Sequence, residues 1–265
     1  MPIVIAALWH VAIARNAPRF GLLKLNFRNS PVFASYGLIE FPYIVAATVF
    51  LVKWGYVETR YALLYLSVMA AMWILGAVDD IWGSREVGGF KGHFRKLLLE
   101  RKLTTGAVKA IGGGLVALAA GFYLYRTNFL LFFQAAAVIA LASNLINLFD
   151  LRPGRAMAVI FFGLVVTYIL KFGSLIASPL VGAIAAIALL FGVWDSRGKA
   201  MMGDSGSNSI GAALGITIAI NASKWMIPAI VLMVAVHIYS EKRSISKAIE
   251  GNRILKGIDS RLGVR

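Results

Sequence analysis

The chain is expected to be an all-α protein, a polytopic transmembrane bundle of about nine spans with its N-terminus outside and its C-terminus cytoplasmic. Three observations predict this. Hydrophobic residues make up 59% and charged residues 15%, with mean hydropathy +0.77, far more apolar material than one soluble core of 265 residues can use. The apolar residues come in long runs separated by short basic connectors. The positive charges fall largely on one side of those runs.

Runs of roughly 17 to 22 apolar residues are the unit of membrane helices. They lie near residues 2–14, 37–53, 60–78, 106–125, 128–148, 156–172, 174–193, 208–222 and 225–240. The first is short for a full crossing, and its basic residues follow it instead of preceding it, unlike a secretory signal peptide. An outside start then places residues 15–36, 79–105, 149–155, 194–207 and 241–265 in the cytoplasm, carrying 4, 6, 2, 2 and 7 Lys or Arg. With Lys109, 22 of the 27 basic residues are cytoplasmic; Lys53, Arg60, Arg126, Lys171 and Lys224 are outside. The same orientation collects Asp79, Asp80, Asp150 and Asp204 on the cytoplasmic face, although these acids did not set it.

No internal repeat, low-complexity segment or soluble domain is visible. Residues 1–240 read as the transmembrane bundle and 241–265 as a basic tail. There Ile245, Ala248, Ile249, Leu255, Ile258 and Leu262 recur near the helical period, as in an amphipathic interfacial helix; a solvated basic tail is the alternative. The net charge of +15 does not imply nucleic acid, because the cations sit in connectors where anionic lipid and loop orientation account for them. Absence of cysteine excludes disulfides and thiolate metal sites.

The acids fall in three motifs. AVDD closes the third span, where anions at the hydrocarbon edge are costly. Neighbouring side chains on a helix point about 100° apart, so Asp79 and Asp80 are expected to have different tasks; a polar helix stop is the plainer reading. NLINLFD places Asn144, Asn147 and Asp150 on an i, i+3, i+6 stair able to bind hydroxyls, a base edge or a hydrated cation. For the amides the alternative is an interhelical hydrogen bond. MMGDSGSNSIG carries glycines around Asp204 and serines, Ser205 or Ser207, able to cap a helix starting near Asn208. Free N–H groups there would suit a phosphate, with Mg²⁺ beside Asp204. Thr104 and Lys109 open the fourth span, Lys109 either snorkelling to headgroups or pairing with phosphate. The run from Lys91 through His93 to Lys96 reads as positive-inside charge, and His10 and His237 as structural.

These motifs resemble those of the polyprenyl-phosphate N-acetylhexosamine-1-phosphate transferase family, of which the chain looks like a shortened, divergent member. AVDD resembles the family's aspartate pair, NLINLFD its N-x-x-N-x-x-D element and MMGDSGSNSIG its M-G-D-x-G-S segment; NFRNSPVFASYGL at 26–38 more loosely resembles an early substrate loop. The likeness spans most of the chain, in order. It implies Mg²⁺-dependent transfer of a sugar 1-phosphate from a UDP-sugar to polyprenyl phosphate at the cytoplasmic face of the cell membrane, a cell-envelope reaction releasing UMP. By the same resemblance Asp204 is the metal ligand, and Asp79 or Asp80 activates the acceptor. Asp150 with Asn147 serves metal or nucleotide, and Lys109, Asn144, Arg28 and Arg152 bind substrate. A homodimer is compatible with the sequence.

The chain departs from the family at Asp150-Leu151-Arg152-Pro153-Gly154-Arg155, where proline stands in place of a second aspartate. It also has Ser240-Glu241-Lys242-Arg243-Ser244 in place of a histidine-rich loop. A muramoyl-pentapeptide donor is therefore disfavoured, Arg152 and Arg155 are candidate contacts to donor phosphate, and an altered or inactive member stays open. An ion-coupled transporter is the reading from another class, but its acids are expected near the midplane on broken helices. A CDP-alcohol phosphotransferase would need a denser aspartate run than the chain contains. A reporter fused after Arg265 is expected to behave as cytoplasmic; an external signal overturns the orientation.

Overall fold

The computed structural model describes residues 2–26, 28–83, 104–171 and 175–264. The run from Lys91 to Lys96 lies outside the described residues. Nine helices occupy the nine predicted intervals: α1 (Pro2–Asn16), α2 (Gly37–Lys53), α3 (Thr59–Trp82), α4 (Thr105–Tyr125), α5 (Phe129–Phe149), α6 (Arg155–Leu170), α7 (Ser178–Ser196), α8 (Gly203–Asn221) and α9 (Met226–Lys242). Among the described residues, α3, α4, α5, α7 and the segment Ser223–Lys242 are long and apolar enough to cross a membrane; α1 and α6 are shorter apolar helices. The fold is all-α as expected, with one small exception. β1 (Leu23–Leu25) and β2 (Pro31–Phe33) form a small antiparallel hairpin. Its second strand also makes one parallel bridge, Phe33 with Ala200, beside which Met201 N–H donates to Phe33 O (2.8 Å).

The bundle is built around α8. Every residue from Ser205 to Thr217 is buried, so this helix has no lipid-facing or water-facing side over three turns. It packs most extensively on α5 and α3, and small residues permit the approach. A Cβ on Gly211 would lie 2.6 Å from Ala142 O, and one on Gly215 would lie 2.6 Å from Ile139 Cα. Gly211 and Gly215, four residues apart, thus bring α8 backbone to backbone with α5. At the start of α8, Gly76 of α3 abuts the backbone of Asp204 and Ser205, and Gly37 of α2 abuts Gly206. Deeper in, the Tyr65 and Thr217 hydroxyls share a buried 2.9 Å hydrogen bond between α3 and α8.

The second helix contains Pro42, which has no N–H to give the carbonyl of Leu38. The Trp9 indole of α1 donates to that carbonyl instead (2.7 Å), and Trp73 of α3 donates to Gly37 O (2.9 Å). Buried polar backbone in a membrane needs such partners.

The tail forms α10 (Ile245–Gly251) and α11 (Arg253–Leu262). The helical period seen in the sequence is divided between the two at Asn252, whose Oδ1 accepts from Ile254 and Leu255 N–H. The tail is also not a free appendage. Asp259 accepts from both Arg155 Nε (2.6 Å) and Nη2 (2.9 Å), Ser246 Oγ accepts from Nη1 (2.7 Å), and Val264 N–H donates to Ser196 O (2.8 Å).

Gly211→Val is expected to force α5 and α8 apart and to cost at least the about 1–3 kcal/mol of ordinary overpacking. Gly182→Val, where an added Cβ meets nothing within 4 Å, is the matched control. Thermal unfolding of detergent-solubilised protein compares them; equal melting temperatures would show that the close crossing does not hold the fold.

Candidate functional site

Helix α3 stays regular through Trp82, so Asp79 and Asp80 point in different directions. Asp80 is buried, and both its oxygens are engaged with α8: Oδ1 accepts from Asp204 N–H (2.9 Å) and Oδ2 from Ser205 N–H (3.0 Å). Asp150 Oδ2 accepts from Gly203 N–H (2.9 Å). Three of the N–H groups that a helix start leaves unpaired are therefore capped by carboxyl oxygens from α3 and from the end of α5.

This corrects two expectations. The helix begins at Gly203, not near Asn208, and Ser205 and Ser207 lie inside it and do not cap it. Gly203 adopts φ +72°, which lets the chain turn into a helix shortly after the Ala200 bridge to the hairpin. The N–H groups of Gly203, Asp204 and Ser205, expected to be open to phosphate, are already satisfied.

Asp79 faces Lys109. Its Oδ2 lies 3.1 Å from Lys109 Nζ, and Asp204 Oδ2 pairs with the same ammonium. Asn147 completes the group: in the amide orientation that satisfies both atoms, Oδ1 accepts from Lys109 Nζ (3.2 Å) and Nδ2 donates to Asp204 Oδ1 (3.1 Å). Lys109 thus turns into the bundle and does not snorkel, held by α4, whose start is capped by Thr104 Oγ1 accepting from Ala107 N–H (3.2 Å). The ends of α3, α4, α5 and α8 meet at one cation. Asn144, one turn back on α5, is half-buried and has no hydrogen-bond partner among the described residues.

Beside this cluster lies a cleft lined by Asn26, Asp150, Arg152, Pro153, Asp195 and Met201. Burial, then the charge of Asp195, holds the Asp150 carboxyl well above the usual carboxylate range, against the pull of the Gly203 N–H. A cation in the cleft would reverse that penalty. Arg28 sits on the exposed hairpin turn, its N–H donating to Asn26 Oδ1 (2.8 Å), while Asn26 Nδ2 donates to Gly198 O (3.0 Å). Arg155, expected to contact a donor phosphate, instead carries the buried bidentate pair to Asp259, so its charge is spent on docking the tail. His10 packs edge-on against Tyr43, and His237 Nδ1 lies 2.7 Å from Met233 O, as structural histidines do.

Two residues of this region escaped sequence reasoning. Asp195 is buried at the end of α7, and its Oδ2 accepts from Gly154 N–H (2.7 Å), next to Pro153. It ends an apolar run just as the other acids do, so the boundary criterion applied to them would have found it. Lys24, on β1, donates from Nζ to Asp80 O (2.9 Å), and nothing local in the sequence marks it.

Among the described residues no group of three or more His, Asp or Glu side chains converges as a metal cage. Asp79 and Asp204 do converge, with the Asn147 amide, on the point occupied by the Lys109 ammonium. One or two carboxylates with open positions is the usual protein share of a Mg²⁺ site. Comparison with protein-family models gives no match, and comparison with curated proteins gives none either.

Asp80→Ala is expected to leave two N–H groups at the start of α8 unpaired, at about 1–3 kcal/mol each. Asp79→Ala removes one partner of a lysine that keeps Asp204. Melting temperatures should fall clearly further for the first variant; equal falls would show that Asp80 does not anchor α8.

Proposed function

We propose that the chain transfers a sugar 1-phosphate from a UDP-N-acetylhexosamine to polyprenyl phosphate at the cytoplasmic face of a nine-span bundle whose N-terminus is outside. The observation that carries this reading is the convergence of Asp79, Asp204 and Asn147 on Lys109 at the ends of four helices. Such a group is suited to bringing two phosphates together, since charge has to be neutralised before one phosphate oxygen can approach another phosphorus. In the reaction an oxygen of the acceptor phosphate bonds to the sugar-bearing phosphorus as the anhydride bond to UMP breaks.

Lys109 binds the phosphates directly, its three ammonium N–H donors being able to turn from carboxylate to phosphate oxygens while each proton stays on Nζ. Asp79 orients the acceptor phosphate and takes a proton from it where one is present. Asp204 and Asn147, with Asp79, are the residues that would hold Mg²⁺, which when bound supplies charge stabilisation for the transferred phosphoryl group. Asp80 is a positioning residue: with both oxygens given to α8 N–H groups, it sets the place of Asp204. Asp150 shares that anchoring through Gly203 and also lines the cleft, which takes the donor head with Asn26, Arg152 and Asp195. Asn144 and Arg28 extend the substrate path towards the bundle interior and the hairpin turn.

Purified protein with Mg²⁺, polyprenyl phosphate and a panel of UDP-sugars is expected to release UMP with an N-acetylhexosamine donor and to disfavour UDP-MurNAc-pentapeptide. Asp204→Asn is expected to lower that release by at least two orders of magnitude, about 2.7 kcal/mol of transition-state stabilisation. No UMP release with any donor, preference for the pentapeptide donor, or full activity of Asp204→Asn would overturn the proposal.

A further inference from the structure

Helix α11 is oriented opposite to a helix packed on a water-soluble body. Its one buried residue is an acid, Asp259, at 6% exposure, whereas Ile254 is 74%, Leu255 45% and Ile258 51% exposed. At 100° per residue, Ile254 and Ile258 share one stripe, with Leu262, which packs on Gly154, and Asp259 at its bundle-side edge and Arg261 then Arg253 following on the far side. An inward charge is explained by Arg155, which Asp259 meets with both oxygens. An outward apolar stripe bordered by arginines is not explained by water.

The position of α11 supplies the missing environment. The tail leaves the candidate span Ser223–Lys242 only three residues before α10 begins, and Val264 bonds Ser196, the last residue of the candidate span Ser178–Ser196. Arg155 is the first residue of α6. The helix therefore lies level with the span ends, where the exposed Trp82 and Trp194 rings also stand, as aromatic residues do at the headgroup layer. The tail carries seven Lys or Arg, and of its three acids Asp259 is already paired. Its free face is thus apolar with a positive border, complementary to an anionic leaflet.

We propose that α11 is a lipid-docking surface: Ile254 and Ile258 enter an anionic leaflet at the end of the bundle that holds the Lys109 cluster, while Asp259 ties the helix to Arg155. One helix thereby joins the membrane surface to the loop bearing Asp150 and Arg152. A second copy of the chain is the competing occupant, but a symmetric contact would set Arg253 and Arg261 against their own counterparts.

The chain has no cysteine, so Ile254→Cys, Ile258→Cys and Ser260→Cys can each carry one environment-sensitive fluorophore in the full-length protein. In nanodiscs containing phosphatidylglycerol, labels at 254 and 258 are expected to emit to the blue and to be quenched by acrylamide several-fold less than the label at 260. Adding Arg253→Glu with Arg261→Glu should remove most of that difference. Equal quenching at 258 and 260, or protection unchanged in pure phosphatidylcholine and unaffected by charge reversal, overturns the proposal. So does protection in detergent that rises with protein concentration, which would identify a second copy. The readout involves no turnover, so it stands apart from the fate of the transferase reading.

Discussion

A helix that begins inside the protein must find partners for its first N–H groups away from water, and the start of α8 is where this chain meets that constraint. Asp80 and Asp150 supply the partners from α3 and from the end of α5, while Gly37 and Gly76 let α2 and α3 close to backbone distance. Capping in trans does more than satisfy hydrogen bonds. It fixes the register of three helices against one another at the level where Asp204 emerges, and so delivers Asp204 to the same point as Asp79 and Asn147.

Two carboxylates gathered at the edge of hydrocarbon would repel one another and pay for lost hydration, and the Lys109 ammonium between them offsets both terms. The lysine acts as an internal counter-ion whose partners are also the oxygens a divalent cation prefers. The neighbouring cleft shares a wall with this group through Asp150, whose carboxylate belongs to both.

Helix positions were legible because apolar run length is a direct consequence of bilayer thickness, and each of the nine intervals holds a helix. The divergence of Asp79 from Asp80 was legible from helical geometry alone. The start of α8 was not, because its caps come from residues 53, 124 and 125 positions away, and sequence reasoning supplied the nearest serines instead. The hairpin strands, three residues each, are too short to show a period. In the tail the apolar positions were visible, but the role of Asp259 depends on Arg155, 104 residues earlier. The Gly211–Gly215 spacing could have been read as a close helix crossing; Gly37 and Gly76 carry no such local mark.

The indole of Trp9 and the proline of α2 imply an order of assembly. The carbonyl that Pro42 leaves without a donor would be a defect in a lone second helix, yet its partner lies on the helix made just before it. The defect is therefore mended as soon as the second hydrophobic segment follows the first, well before α8 exists. The Arg155–Asp259 pair has the opposite timing, since Asp259 is made 104 residues after its partner. The first pair is repaired between neighbouring segments, and the tail helix fastens to Arg155 only after α6, α7, α8 and α9 have been made.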